Sequence, residues 1–460
     1  MNQSTNSLAV GAGRAIIDLP AGLMMAGYGR RTGPSVGTLK PLEARAVLFD
    51  DSRAASMVVV LDLVYVTAEL TRAIAEGIAR DHPIDPNHVM VSATHTHCGP
   101  MLNGCNSQGW AQAVTAGVEA AAMAFNAARP AHLQGGRVPT PGFGANRRDG
   151  RVLIDEGASV VVAISAEEPA DVLAVVFEMA CHATVLEHDN LLWSPDYPGY
   201  TRDAIEAAVG GTAVFIQGCA GDINPVFASH TPEDAYLAGA SLAGPIIQAV
   251  AWSVRARQGL GYINLSWNRV EPAVSPIVFP DLAGGQIRTA NRTVSLELAP
   301  VPAVEQANQS LARTKAEWLA CDDGPTKDRL GASLAYAWAQ NFHAQGQMLL
   351  EMIEPVQNRH NLDLTVKGMA VGSDLVIVAL PGENFYEQGA RLRQAASDCL
   401  VLVVGYANCS CGYLVPSSEY DDSGYEVGAS YVCQGGAEVV CQAGQDLVTQ
   451  LLSTGTKGES

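Results

Sequence analysis

The 460 residues carry 28 Lys and Arg against 47 Asp and Glu, a formal net charge of −19, and 48% of them are apolar. That composition supplies a large core and excludes an intrinsically disordered chain, because apolar burial can outweigh ordering entropy. The acidic balance, with a sequence pI near 4.9, argues against a nucleic-acid binder, which needs excess Lys and Arg against phosphate, and against docking on an anionic membrane face.

Taken in chain order, residues 1–7 are polar and lack the basic start and apolar run of a signal peptide. The longest strongly apolar stretch, 55–66, contains Asp62. It is shorter than the roughly twenty residues of a bilayer span, so no membrane insertion is expected. Ten cysteines behind such a start are expected to stay reduced, in a cytoplasmic protein. Cys409 and Cys411 form a single C-x-C that could hold metal, with no second pair beside it.

Apolar runs rich in β-branched residues predict strands at 44–49, 57–63, 88–92, 172–179, 212–217, 375–380 and 400–404. Several are continuous rather than alternating, as in strands covered on both faces. Helical patterns occupy 67–80, 111–128, 232–255 and 384–396. The alternation predicts an α/β fold, a central mixed sheet covered by helices, in one domain over 8–455 without repeat or linker. In its middle, 261–302 reads as strands and irregular chain. An inserted helical hairpin follows at 304–353, an elaboration of about 303–355 that is broken at Asp322-Asp323-Gly324-Pro325 and could cap the site. Residues 453–460 read as a frayed end.

Chemistry gathers where predicted strands give way to loops, which is where open α/β sheets place ligands. In Thr94-His95-Thr96-His97-Cys98-Gly99-Pro100 the two histidines are two apart, so an extended chain turns both to one side. The alternative is a pair of surface or capping histidines. His182 follows the run 172–180, and His188 lies in a polar loop facing solvent or substrate. Gly218-Cys219-Ala220-Gly221-Asp222 and Leu380-Pro381-Gly382-Glu383 each end a strand with a carboxylate, although Glu383 could instead serve a helix dipole. Four strand ends thus deliver His/His, His, Asp and Glu, and two histidines with a carboxylate are a familiar zinc set. The stretch Gly27–Gly33 has the wrong spacing for a dinucleotide fingerprint, and neither a phosphate loop nor G-x-S-x-G is found. Tyr413, Tyr420 and Tyr425 share a loop with the C-x-C pair and read on composition as packing.

Together these motifs resemble the neutral (alkaline, non-lysosomal) ceramidase family of zinc-dependent amidases over most of residues 8–450. The carriers are Gly11-Ala12-Gly13, Gly27-Tyr28, Ala44-Arg45-Ala46, Thr94-His95-Thr96-His97 with Gly99-Pro100, Asn146-Arg147, the His182 segment, Gly221-Asp222 with Pro225, Leu380-Pro381-Gly382-Glu383, Tyr413 and Tyr425-Glu426. The resemblance implies Zn2+ held by His95, His182, Glu383 and Tyr413. It places His97, Arg147 and Tyr425 around the reacting centre. Neutral imidazoles and a carboxylate would leave the zinc charge partly compensated, so its water ionises near neutrality. Tyr425 and His97 would serve the oxyanion or the leaving nitrogen, and Arg147 would orient a substrate carbonyl or carboxylate.

Asn224 stands where that family carries a serine; it can position substrate but cannot be a hydroxyl nucleophile. The chain also stops soon after the tyrosine loop, so a short form without the family's C-terminal immunoglobulin-like domain is expected. The resulting expectation is a zinc-dependent hydrolase that cleaves an amide by metal-activated water, on a substrate smaller and more soluble than ceramide. An esterase or lactonase with the same site is the alternative. A non-catalytic zinc protein fits less well, since a structural site needs no extra donors. The expected partner is a small-molecule amide or ester, with no nucleic acid, and a homo-oligomer is left open.

Overall fold

Residues 55–61 are buried without exception, and alternate side chains enter two different cores: Met57, Val59 and Leu61 one, Val58 and Val60 another. That period-two split organises the whole molecule. The computed structural model describes residues 8–102, 107–152, 157–168, 170–259, 277–344, 360–420 and 424–453. The large sheet contains β1 (Ala9–Ile16), β2 (Glu43–Asp50), β3 (Ala55–Leu61), β4 (Val89–Ala93), β5 (Arg129–Pro139), β6 (Gly157–Ser165), β7 (Val172–Met179) and β8 (Thr212–Gln217). They lie in the order β8-β7-β6-β5-β1-β2-β3-β4, with the short strand Asp281–Leu282 added to β5. A second sheet holds β9 (Ile287–Glu297), β10 (Asn361–Val371), β11 (Leu375–Ala379) and β12 (Leu400–Val404), in that order.

The described helices include α1 (Ala68–Asp81), α2 (Gln108–Ala127), α3 (Tyr197–Val209), α4 (Pro232–Arg257), α5 (Val304–Ala320), α6 (Pro325–Ala344), α7 (Tyr386–Gln394) and α8 (Gly436–Ser453). Four layers result. Leu70, Ile74, Ala120, Ala124, Ile205 and Leu242 from α1–α4 cover one face of the large sheet. Its other face, with Val58, Val60, Val161 and Val176, packs on Met369, Val371, Ile377 and Val404 of the second sheet. The outer face of that sheet, with Leu364, Val376 and Val403, is covered by Leu392 of α7 and Val440, Leu447 and Leu451 of α8. The predicted α/β architecture with helices over a large mixed sheet is present. The doubly covered strands owe their second cover to another sheet, not to helices.

Most pairings are antiparallel, but β3–β4, β7–β8 and β11–β12 are parallel. Parallel neighbours need a crossover, and α1, α3 and α7 lie on these three connections. Helix α3 has no counterpart among the predicted elements, although Pro198 in its first turn and Gly210 after its last are ordinary helix punctuation. Helix α4 is long and apolar enough to cross a bilayer, but Ala235, Leu242, Ala243 and Ile246 place one face of it in the core. Helices α5 and α6 form the expected hairpin. Helix α6 packs on the turn Tyr425–Gly428, where Gln340 Nε2 donates to Gly428 O at 2.9 Å. Residues 261–276 of the irregular segment, 345–353 of the predicted hairpin and 454–460 of the frayed end lie outside the described residues.

Candidate metal centre and active site

The C-terminal ends of the six strands in the three parallel pairs of the two large sheets contribute to one polar centre. The chain after β4 carries His95 and His97, and the chain after β7 carries His182. The chain after β11 carries Glu383, and the loop after β12 leads to Tyr413, which pairs in register with Glu383. The ends of β3 and β8 contribute carbonyls. His95 Nδ1 donates to Val64 O at 2.6 Å, and His182 Nδ1 lies 2.6 Å from Ala220 O and 3.1 Å from Ile223 O. Gly221 allows the β8 loop to approach this closely, since a Cβ there would meet Glu383 O at 2.9 Å.

Those carbonyl bonds fix the tautomer: each Nδ1 keeps its proton, and each Nε2 presents a lone pair. Burial pushes both imidazoles down to about 3, so they are neutral. The two lone pairs face a third acceptor. Glu383 Oε2 lies 3.4 Å from His95 Nε2 and 3.6 Å from His182 Nε2, and it is buried without a hydrogen-bond partner among the described residues. Ligands about 2.0–2.1 Å from a tetrahedral zinc stand roughly 3.4 Å apart. These three atoms therefore have both the chemistry and the spacing for one cation.

His97 lies beside them, its Nε2 3.1 Å from His95 Nε2. The three imidazoles offer nitrogens within 4.8 Å of one another. His97 keeps part of its surface open and, through burial of its ring, titrates well below the ordinary histidine range. Tyr28 meets it edge-on at 4.8 Å, and the Arg31 guanidinium donates to its carbonyl. Gly27, at φ +96°, leaves room for it: a Cβ there would lie 2.6 Å from the His97 ring.

Arg147 enters from the opposite side, just after the short strand Gly144–Asn146, which pairs antiparallel with Ile223–Pro225. Its guanidinium donates to Tyr413 OH at 3.0 Å and Glu426 Oε1 at 2.7 Å, and reaches His182 Nε2 at 3.4 Å and Asn224 Oδ1 at 3.5 Å. Tyr413 is 4% exposed, and Tyr425 meets its ring edge-on at 5.7 Å. Burial, then the Glu383 carboxylate, raises the Tyr425 hydroxyl above its usual value and keeps it a donor.

The structure thus brings His95, His97, His182, Glu383, Tyr413, Arg147, Asn224 and Tyr425 to one centre. It does not bring Asp222 into the ligand group. That carboxylate accepts from Asn146 Nδ2 and Tyr386 N, both at 2.7 Å, and so braces the Arg147 hairpin. Its pKa is raised to about 7, chiefly by burial. His188 pairs with Glu187 at 3.3 Å away from the ligand group. Cys411 packs its sulfur against Gly382. Three participants had no role in the sequence reading: the imidazole-holding carbonyls, which no side-chain motif reveals; Glu426, which bridges Arg147 and Arg148; and Tyr406, whose ring stacks on His95. The dipeptides Arg147-Arg148 and Tyr425-Glu426 were the available signal for the second.

No family model and no curated protein matches the sequence. Among solved structures the chain is similar to neutral ceramidase from Pseudomonas aeruginosa, at 18% identity and a TM-score of 0.71, over 97% of this chain and 75% of that one. It is also similar to a ceramidase complexed with C2, at 17% identity and a TM-score of 0.70, over 97% and 76%. The fold is that of the neutral ceramidases. At this identity the likeness is one of architecture, and the chemistry rests on the side chains described above.

Proposed function

We propose that the protein is a zinc-dependent hydrolase of N-acyl amides. The observation that carries this reading is the convergence of His95 Nε2, His182 Nε2 and Glu383 Oε2, the carboxylate oxygen 3.4 and 3.6 Å from the two nitrogens and without a hydrogen-bond partner among the described residues. Tyr413, in register beside Glu383, would complete the ligand set. The chemistry supplied by zinc in such a set is Lewis acidity, which polarises an acyl carbonyl and makes water a nucleophile near neutral pH.

The chain's own residues account for the rest. Arg147, held by Glu426, presents its guanidinium toward the carbonyl side of a substrate. Tyr425 keeps its proton and can donate to the oxygen that gains charge as the acyl carbon becomes tetrahedral. His97, neutral and partly open, turns Nε2 toward the candidate ligands and can take up a proton there as water attacks and pass it to the leaving nitrogen. Asn224 positions substrate through its amide. A structural zinc site needs no such donors, which favours catalysis over a scaffold role.

The substrate is read as smaller and more soluble than ceramide. The supporting feature is the α5–α6 hairpin, whose Trp338 ring lies 5.9 Å from that of Tyr425 and fills space on that flank. Metal analysis combined with a panel of N-acyl amides, esters and lactones tests the proposal. About one zinc per chain and preferential amide turnover, lost on chelation and restored by zinc, are expected. Full turnover after exhaustive zinc removal would refute the metal reading, and turnover confined to esters or lactones would refute the amidase reading.

A further inference from the structure

Among the described residues, five non-glycine positions have positive φ, and three of them meet at the metal-ligand pole: His95 at +60°, Tyr406 at +52° and Asn408 at +63°. Side chains in this left-handed region are strained and persist only where surrounding bonds enforce them. Here the bonds are plain. Gly405 N donates to Gln217 O at 2.8 Å, at the end of β8. Tyr406 N donates to Gly382 O at 3.3 Å and Ala407 N to Leu380 O at 3.0 Å, after β11. Asn408 N donates to Val91 O at 2.7 Å, and Ala93 N donates to Tyr406 O at 3.3 Å. Asn408 Oδ1 also accepts from Val91 N at 3.3 Å. The four residues 405–408 therefore tie together the strand ends that carry His95, the β8 loop and Glu383.

The consequence is a flat contact. The Tyr406 ring lies on the His95 imidazole, with centroids 4.1 Å apart and planes 30° from parallel. Tyr406 is 3% exposed, and its hydroxyl is buried without a hydrogen-bond partner among the described residues. A buried hydroxyl that bonds to nothing adds no structural bond, so the side chain acts through its ring. Val64 O holds His95 at Nδ1, and His97 and His182 meet its ring edge-on at 4.7 and 4.6 Å, but among the described residues only Tyr406 lies against its face. A flat neighbour there keeps the ring from pivoting.

We propose that Tyr406 is a positioning residue for the metal centre: its ring, delivered by the strained 405–408 segment, sets the plane of His95 and so aims Nε2 at the position shared with His182 and Glu383. This rests on the metal reading above and extends it to a residue outside the ligand set. A role in general packing would affect stability alone, whereas a positioning role affects ligand geometry and metal affinity in a folded protein.

The test compares Tyr406→Phe, which keeps the ring, with Tyr406→Leu, which fills space without a flat face. Zinc affinity is measured by competition with a chromogenic chelator, and ligand geometry from the visible spectrum of Co2+-loaded protein. The phenylalanine variant should bind zinc within about 2-fold of native and give the native Co2+ spectrum. The leucine variant, at near-native melting temperature, should bind about 10-fold or more weakly, as outer-sphere losses commonly do, with a shifted spectrum. If leucine does not fold, Tyr406→Met repeats the contrast with a flexible side chain. Native-like affinity and spectrum without the ring, or a phenylalanine variant as weak as leucine, would overturn the proposal while leaving the metal site standing. A native protein that binds no zinc would overturn both.

Discussion

Two buried polar clusters begin within a few residues of each other at the end of β3, and they are built on opposite rules. In the first, Arg202 grips Asp62 with two bonds of 2.9 and 2.7 Å, Asp62 also accepts from Glu43 N at 2.8 Å, and Arg45 joins Glu43 at 2.8 Å and Ala213 O at 2.6 Å. Every carboxylate oxygen in that list faces a donor. In the second, begun by the Val64 carbonyl on His95, Glu383 Oε2 faces two imidazole nitrogens at 3.4 and 3.6 Å and has no hydrogen-bond partner among the described residues, while Arg147 and His97 stand at the outer sides of those nitrogens. Both clusters are desolvated, so neither can rely on water for compensation. The first closes by itself and reads as structure. The second leaves Glu383 Oε2 without a donor among the described residues, and that contrast is what the metal proposal rests on.

Removing ligands breaks the comparison most severely. His182→Ala should cost more zinc affinity than the roughly 10–100-fold that follows loss of an outer partner, and metal analysis after gel filtration should find the variant empty. Full occupancy would mean that the convergent atoms are not the ligands. The same kind of substitution should then act with opposite sign in the two clusters. Asp62→Asn leaves a buried Arg202 with only the more distant Glu43 carboxylate, at 3.9 Å, and should destabilise by about 3 kcal/mol. Glu383→Gln supplies an N–H to the facing imidazoles, so the metal-free variant should be as stable as metal-free native protein or about 1 kcal/mol more stable. Chemical denaturation in a chelator reads both. Equal destabilisation would show that the second cluster is an ordinary buried network.

This distinction was only partly legible in the sequence. Strand-end placement singled out His95, His97, His182 and Glu383, because a run of Val and Ile followed by a polar loop is a local signal. The same logic selected Asp222, whose oxygens turn out to hold Asn146 and the α7 backbone; which way a loop carboxylate points depends on partners distant in the chain. The second sheet escaped for a related reason. Leu362, Leu364 and Val366 alternate cleanly, but nothing local says that the opposite face, with Met369 and Val371, packs on another sheet. Tyr406 carries no mark at all, since positive φ at a tyrosine is imposed by four strand ends rather than by its own residue type.

Within the proposed metal centre, donor and ligand can be separated. Tyr425→Phe keeps the ring that meets Tyr413 but removes the one hydroxyl proposed to donate to the oxyanion. Loss of such a donor costs about 10²–10³ in turnover, and it should fall on kcat, because the bond strengthens only as charge develops. Zinc content should stay native, whereas Tyr413→Phe should disturb zinc as well. Native turnover in a zinc-replete Tyr425→Phe enzyme would reduce Tyr425 to packing.

A third buried charge gives the smallest effect and sharpens the comparison from outside both clusters. Lys367, on β10, is 8% exposed and donates from Nζ to Val89 O at 2.8 Å. Its only opposing charge is Asp85, which offsets burial in part and forms no ion pair with it among the described residues. Burial lowers its pKa from 10.5 to about 8, so it can relieve its desolvation by releasing a proton, an option closed to imidazoles that are already neutral. The sign follows from linkage. Between pH 8 and 10.5 the unfolded chain holds a proton at this site that the folded chain has released, so stability rises with pH across that window. Below pH 8 both states are charged and the folded state bears the full cost, at most ~3 kcal/mol. Lys367→Met removes the group and should be flat where the native protein gains, so the stability difference between them should shrink steadily from pH 8 to 10.5 in urea titrations. A difference that stays constant with pH would show that Lys367 remains charged in the fold, and its single carbonyl would then have to be counted as a sufficient partner.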